Sequence, residues 1–220
     1  TESSGTDLSN PGMFQYTARV HLGSALYVAR CIRGEVFYTV ISLLKCADTW
    51  YVPSDRRLRQ LFGYLKATAD HGLVFKALKE EPDTQLAPVV VCDSDSDLNG
   101  CPITHRSSSG WVTSIEDEHR PEAHASVDFA AKSQHVAAKS SAESETTAIS
   151  DAVTKSSLPI LSLLQRIFGE AKVVLRHRTD NDSARIAVRS GASANLRYLR
   201  AHQRVSLSFL RDVFDEDVHQ

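Results

Sequence analysis

The sequence predicts an α/β domain, a sheet with helices packed on it, preceded by a smaller helical segment. Three observations carry this. From Pro88 onward, strand-like and helix-like runs alternate, the pattern that builds a sheet covered by helices. Before residue 80 the apolar residues recur at helical spacing alone. Between the two parts, residues 81–87 form a proline-bearing, acidic stretch that reads as a linker.

In chain order, residues 1–15 are rich in Ser, Thr, Asp and Gly and read as a disordered tail. The helical segment, 16–80, carries three patterns. Ala18 to Ile32 places Leu22, Ala25, Leu26 and Ala29 on one stripe; Glu35 to Ala47 does so with Val36, Phe37, Val40, Ile41 and Leu44. The third begins at Ser54, an N-cap preceded by Pro53, and repeats Leu58, Leu61, Phe62 and Leu65. In 88–220, strands are expected at Pro88–Asp95, Trp111–Ile115, Ser126–Ala131 and Lys172–Thr179. Helices are expected from Ser140 to about Ser156, over Leu158–Phe168 stopped by Gly169, and from an Asp182 or Ser183 cap through Val188, stopped by Gly191.

The 220 residues are 42% apolar, enough to bury a core, and 24% charged, ordinary for a globular chain. No apolar run approaches the roughly 18 residues of a membrane span, and the polar, acidic start does not read as a signal peptide. Four cysteines without CxxC spacing and nine histidines without ligand spacing argue against a zinc or redox motif. A reduced, intracellular compartment is the expectation. Net charge is −2 but uneven: Glu80 to Asp128 holds eleven acids against two bases, and Lys172 to Arg211 nine bases against two acids. A basic end can bind a polyanion and an acidic block a divalent metal, or the two are solvated surfaces of opposite sign.

The informative residues are acids. Strand alternation puts Asp93 and Asp95 on one side, with Asp95 at the C-terminal end, where α/β sheets place ligands. Asp180 sits at the matching end of its own strand. On the helix, at about 100° per residue, Glu145 shares a stripe with Ala148, Ile149 and Ala152, whereas Glu143 falls with Thr146, Thr147 and Ser150. Glu145 is therefore expected to face the sheet and Glu143 water. An acid on an apolar face is costly unless paired, protonated or metal-bound. Asp95, Glu145 and Asp180 can thus converge on hard divalent cations, or serve as a turn residue, a partner for an arginine and a helix cap.

Five blocks, in order, resemble one family. Gly23-Ser24-Ala25-Leu26-Tyr27-Val28-Ala29 with Arg33, and Tyr64-Leu65-Lys66-Ala67-Thr68-Ala69-Asp70-His71-Gly72-Leu73, are similar to segments near the end of the reverse transcriptase of copia-type LTR retrotransposon Pol polyproteins. Asp95 to Pro102, followed by Arg106-Ser107-Ser108-Ser109-Gly110-Trp111, resembles that family's first ribonuclease H motif. Lys132-Ser133-Gln134 with Ser140 to Glu145 resembles its KKQ…SSAEAEY block, and Thr179 to Ala184 its DNxSA block. The resemblance covers about residues 16 to 212.

The resemblance implies a ribonuclease H-like mixed sheet flanked by helices, preceded by a small helical reverse-transcriptase segment whose partners would be the palm and fingers of the parent polyprotein. It implies cleavage of the RNA strand of an RNA–DNA hybrid, with Asp95, Glu145 and Asp180 holding two Mg²⁺ or Mn²⁺ ions. Asp97, Ser141, Asn181, His202 and Arg204 would lie near that site. Arg106, Arg176, Arg178, Arg185, Arg189, Arg197 and Arg200 would face backbone phosphates. The family's fourth acid falls on Arg204, a fixed cation that would compete with metal and could pair with Asp180 or Asp95. Gly34, Glu35, Leu98 and Thr146 also depart from the family pattern. Two functions therefore stand at this stage: an impaired ribonuclease H, or an inactive ribonuclease H-like module that binds nucleic acid or serves a structural role.

Overall fold

The computed structural model describes residues 10–76, 86–101, 105–169 and 173–215. The chain divides into two units, Thr1–Leu73 and Val74–Gln220. The division falls before the expected linker because the amide of Lys76 donates to the His124 carbonyl at 3.1 Å, which ties that stretch to the sheet unit. Of the expected 81–87 linker, residues 81–85 lie outside the described residues, as do residues 1–9 of the expected tail.

The first unit is helical: α1 (Ala18–Cys31), a 3₁₀ turn (Gly34–Val36), α2 (Phe37–Leu44) and α3 (Val52–Ala67). Its core is built from the expected stripes, with Leu22, Ala25 and Ala29 from α1, Phe37 and Val40 from α2, and Leu58 and Leu61 from α3 all buried. Helix α3 begins at Val52, not at a Ser54 cap, because Pro53 occupies the first turn, where a missing N–H costs nothing. Residues 11–14 are not a free tail. Pro11 bridges to Tyr51, and the amides of Met13 and Phe14 donate to the Asp55 carboxylate, which also accepts from Trp50 Nε1 at 2.7 Å.

Asp55 is therefore a buried anchor. Burial pushes its carboxyl upward, but the hydrogen bonds from Trp50, Phe14 and Met13 prevail and hold it below the usual carboxylate range. Its contribution is present above that range and is lost as pH falls below it. Asp55→Ala is expected to destabilise this unit by about 3 kcal/mol, because donors formerly bonded to a charged acceptor are left buried. Denaturant unfolding of the two proteins at neutral pH measures this, and equal stabilities would contradict it.

The second unit is α/β. Strands β1 (Pro88–Asp97), β2 (Ser108–Asp117), β3 (Arg120–Ser133) and β4 (Val174–Arg178) form a four-stranded mixed sheet in the order β3-β2-β1-β4. β2 is antiparallel to both β1 and β3, and β4 is parallel to β1. The β2–β3 hairpin runs well past the apolar cores of both strands. Asp117 closes its turn by accepting from the amides of His119 and Arg120 at 3.0 and 3.1 Å. Helix α4 (Ser141–Ala152) continues through a π-helical turn (Val153–Ser157) into α5 (Leu158–Phe168), which Gly169 ends at φ +95°. Then come α6 (Asp182–Ser190), a 3₁₀ turn (Ala194–Leu196), α7 (Leu199–His202) and α8 (Leu207–Asp215).

Burial of apolar area positions these layers. Val90 and Leu175 of the sheet pack on Leu161 and Leu164 of α5, and Cys92 and Trp111 pack on Ala152 of α4. On the far side of α4, Ile149 and Val153 meet Ala184 and Val188 of α6 together with Leu199, Val205, Leu207 and Leu210. Helix α4 is thus covered on two sides, by the sheet and by the C-terminal segment. That second cover overturns the expectation for Glu143: it is 0% exposed, not solvent-facing.

Candidate metal centre

The sheet brings the candidate acids to one end. β1 pairs with β4 no further than Asp93 opposite Arg178. Past that point β1 has no strand partner on that side among the described residues, and Asp180 follows β4 to a place beside Asp95. Helix α4 supplies Glu145. Carboxylate oxygens of Asp95, Glu145 and Asp180 all lie within 4.8 Å of one another. Asp95 and Asp180 are exposed, while Glu145 is only 4% exposed.

Glu145 bears the cost of this arrangement. Its Oε2 is buried with no hydrogen-bond partner, and so is the neighbouring Ser96 Oγ. Burial, the largest cause, pushes the carboxyl up to about 6; the adjacent Ser96 pulls the other way, and the negative charges of Asp95 and Asp180 add to the rise. A buried oxygen without a donor beside two further carboxylates is the reverse of a structural ion pair, where each acid would have its cation. It is a hard, all-oxygen donor set of the kind that suits Mg²⁺ or Mn²⁺.

The residues expected near the centre divide. Asn181 caps α6, in place of Asp182 or Ser183: its Oδ1 accepts from the Ala184 amide at 3.0 Å while its Nδ2 donates to Ser141 Oγ at 3.1 Å. It therefore links the loop carrying Asp180 to the helix carrying Glu145. Asp182 instead pairs along α6 with Arg185. Asp97 turns away into the β1–β2 connection, where it accepts from the Ser108 amide. A Cβ on Gly100 would fall 1.9 Å from the Asp97 carboxylate, so a side chain there would require Asp97 to move. His202 lies 3.6 Å from Glu143 rather than in the cluster.

Arg204 is exposed at the end of α7 in the left-handed region, φ +58°. Among the described residues it pairs with neither Asp95 nor Asp180, contrary to expectation. The left-handed turn sends Val205 into the core and leaves the Arg204 side chain in solvent.

The expected phosphate-facing arginines do not share one face. In register, Arg176 and Arg178 match Val91 and Asp93, on the side of the sheet opposite Val90 and Cys92 and hence opposite α4. There they pair with Glu118 and Glu116. Arg185 and Arg189 project from α6, and Arg106 is exposed between β1 and β2. Arg197 and Arg200 line an open groove of about 440 Å³ with Ser193, Ser206 and Ser208. Sequence alternation along β4 could have separated Arg176 and Arg178 from the rest, since His177 between them packs against Phe214.

Sequence reasoning missed Ser96, which acts on Glu145, and Gln134, Tyr198 and Gln203, which hold the start of α4. Gln134 is 1% exposed and donates to the Ser144 carbonyl at 2.9 Å, fastening α4 to the end of β3. Compared with known proteins, the chain matches no family model, no curated protein and no solved structure. An α/β unit with a three-carboxylate centre at the end of its sheet is what the structure defines.

Proposed function

We propose that the second unit is a ribonuclease H-like domain that cleaves the RNA strand of an RNA–DNA hybrid, with the helical unit as the C-terminal end of a reverse transcriptase. The observation that carries this is the convergence of Asp95, Glu145 and Asp180, with a buried, unpartnered Glu145 oxygen at its centre. The motif resemblance, in which the same three residues fall on the family's acids, supports it independently.

Asp95, Glu145 and Asp180 would hold the ions. Two divalent cations bound there would supply a metal-bound water as nucleophile and charge stabilisation at the leaving oxygen. The chain's own groups place the substrate. Exposed Asp95 and Asp180 open the centre to solvent and to a phosphodiester, while Asn181 and Gln134 keep the strand-end loop and α4 in register. Arg197, Arg200 and Arg189 offer cations to the backbone, whereas Arg185 is paired with Asp182. In the reaction the P–O bond to water forms, the bond to the 3′-oxygen breaks, and that oxygen takes a proton, leaving a 3′-hydroxyl and a 5′-phosphate.

A second reading is favoured by one residue. Arg204 stands where the family has its fourth acid, which fits a degenerate module that binds hybrid without cutting it. A labelled hybrid incubated with Mg²⁺ or Mn²⁺ separates the two. Slow cleavage that Asp95→Asn abolishes supports the enzyme. Binding without cleavage, also in Arg204→Asp, supports the inactive module.

Hybrid affinity is expected to fall steeply with salt, because each neutralised phosphate releases counterions. Arg197→Ala and Arg200→Ala should each reduce the slope of log affinity against log salt by about 1. Arg176→Ala should leave it unchanged, because that side chain is occupied by Glu118 across the sheet. Fluorescence anisotropy at graded salt reads this directly. A salt-independent affinity would contradict it.

A further inference from the structure

The first turn of α4 is held by three separate segments. Gln134, just past β3, donates to the Ser144 carbonyl at 2.9 Å, and Asn181 from the β4–α6 loop donates to Ser141 Oγ at 3.1 Å. The third and largest hold is on Glu143. Its Oε2 accepts from the Lys139 amide at 2.7 Å and from the Tyr198 hydroxyl at 2.9 Å, and its Oε1 accepts from Gln203 Nε2 at 3.1 Å. Ser140 Oγ meanwhile accepts from the Glu143 amide at 3.2 Å, so Ser140 and Glu143 make a capping arrangement in which each satisfies backbone at the helix start. Lys139 Nζ sits 4.6 Å over the Tyr198 ring, closing the cluster from outside.

A capping pair alone needs no buried carboxylate, because such glutamates ordinarily sit at the surface. Here the C-terminal segment spans the helix start and donates twice to the acid, from Tyr198 just before α7 and Gln203 just after it. Two residues further along, Glu145 has no donor for its buried oxygen. A helix is stiff, so clasping residues 141, 143 and 144 fixes where the Glu145 carboxylate stands, and metal sites lose affinity when such outer contacts are removed.

We propose that Glu143 is a positioning residue for the metal centre: clasped by Tyr198 and Gln203, it couples docking of the C-terminal segment to presentation of Glu145 toward Asp95 and Asp180, so that divalent-metal affinity depends on that clasp. The inference rests on the reading of the three acids as metal ligands. Positions 198 and 203 are thereby tied to metal affinity without touching the metal.

The test is Mn²⁺ binding to the full chain, read by electron paramagnetic resonance and calorimetry, alongside the thermal midpoint without metal. Tyr198→Phe removes one hydroxyl and nothing else, and the double variant Tyr198→Phe/Gln203→Ala opens the clasp. The double variant should bind Mn²⁺ about tenfold more weakly, and Tyr198→Phe should weaken binding in the same direction. Leu161→Ala, which destabilises the α5 side of the core, should lower the thermal midpoint while leaving the affinity of the folded protein unchanged. A wild type that binds Mn²⁺ with clasp variants that bind it equally well overturns the positioning role alone. A wild type that binds no Mn²⁺ overturns the metal reading beneath it, and this inference with it.

Discussion

Glu145→Gln is expected to make the metal-free protein more stable while abolishing its metal-dependent chemistry. The Glu145 carboxyl is pushed up to about 6, chiefly by burial and then by Asp95 and Asp180. The folded state therefore keeps its proton at pH values where the unfolded chain has released it. Stability falls as pH rises from the ordinary glutamate range to about 6, and the full cost, about 2 kcal/mol, persists above that. A neutral amide of the same shape removes the cost, so at pH 7.5 the thermal midpoint should rise by about 5 °C. Added Mg²⁺ should raise the midpoint of the wild type by binding the folded state and leave Glu145→Gln unmoved. Hybrid cleavage should drop by about a thousandfold, roughly 4 kcal/mol of barrier. If Glu145→Gln instead melts lower at every pH, Glu145 has a structural partner and the centre is misassigned.

Arg204→Asp is expected to give the largest gain of function. Arg204 occupies a left-handed turn at φ +58°, a conformation Asp tolerates better than Arg, so the exchange carries no backbone penalty. It removes a fixed cation next to Gln203, which donates to Glu143 at the start of α4, and supplies a carboxylate in its place. Cleavage should rise by about ten- to a hundredfold, and half-maximal Mg²⁺ should fall. Arg204→Asn keeps the turn and removes the charge without adding an anionic ligand, so it should lie between the two. Rates measured against Mg²⁺ for the three proteins decide the point. A strong wild-type rate that Arg204→Asp leaves unchanged would place the fourth ligand elsewhere.

The three acids were legible because each follows from a local rule. Strand ends located Asp95 and Asp180, and helical phase selected Glu145 over Glu143 as the residue facing the sheet. The same phase argument failed for Glu143, whose covering residue, Tyr198, lies 55 positions away in sequence. A helix wheel divides sheet side from solvent side, and it has no entry for a second layer. The segment after Gly191 was unread for a different reason. α7 is one short turn, and its end at Arg204 uses a backbone conformation that arginine does not advertise. In α8 the spacing of Leu207, Leu210, Val213 and Phe214 is that of a helix with one apolar face, and those residues pack on the core. Asp97 and Asn181 show the limit of composition: adjacent polar residues compete for turns and caps, and geometry decided for Asn181 as the cap and Asp97 as the turn.

The central claim is that Asp95, Glu145 and Asp180 together hold divalent metal, and Mn²⁺ titration followed by electron paramagnetic resonance at pH 7.5 tests it most directly. The wild type should bind Mn²⁺ with competition by Mg²⁺. Asp95→Asn, Glu145→Gln and Asp180→Asn should each weaken that binding by at least about tenfold while the protein remains folded. Mn²⁺ binding that survives all three substitutions unchanged, or a folded wild type that binds none, would contradict the claim.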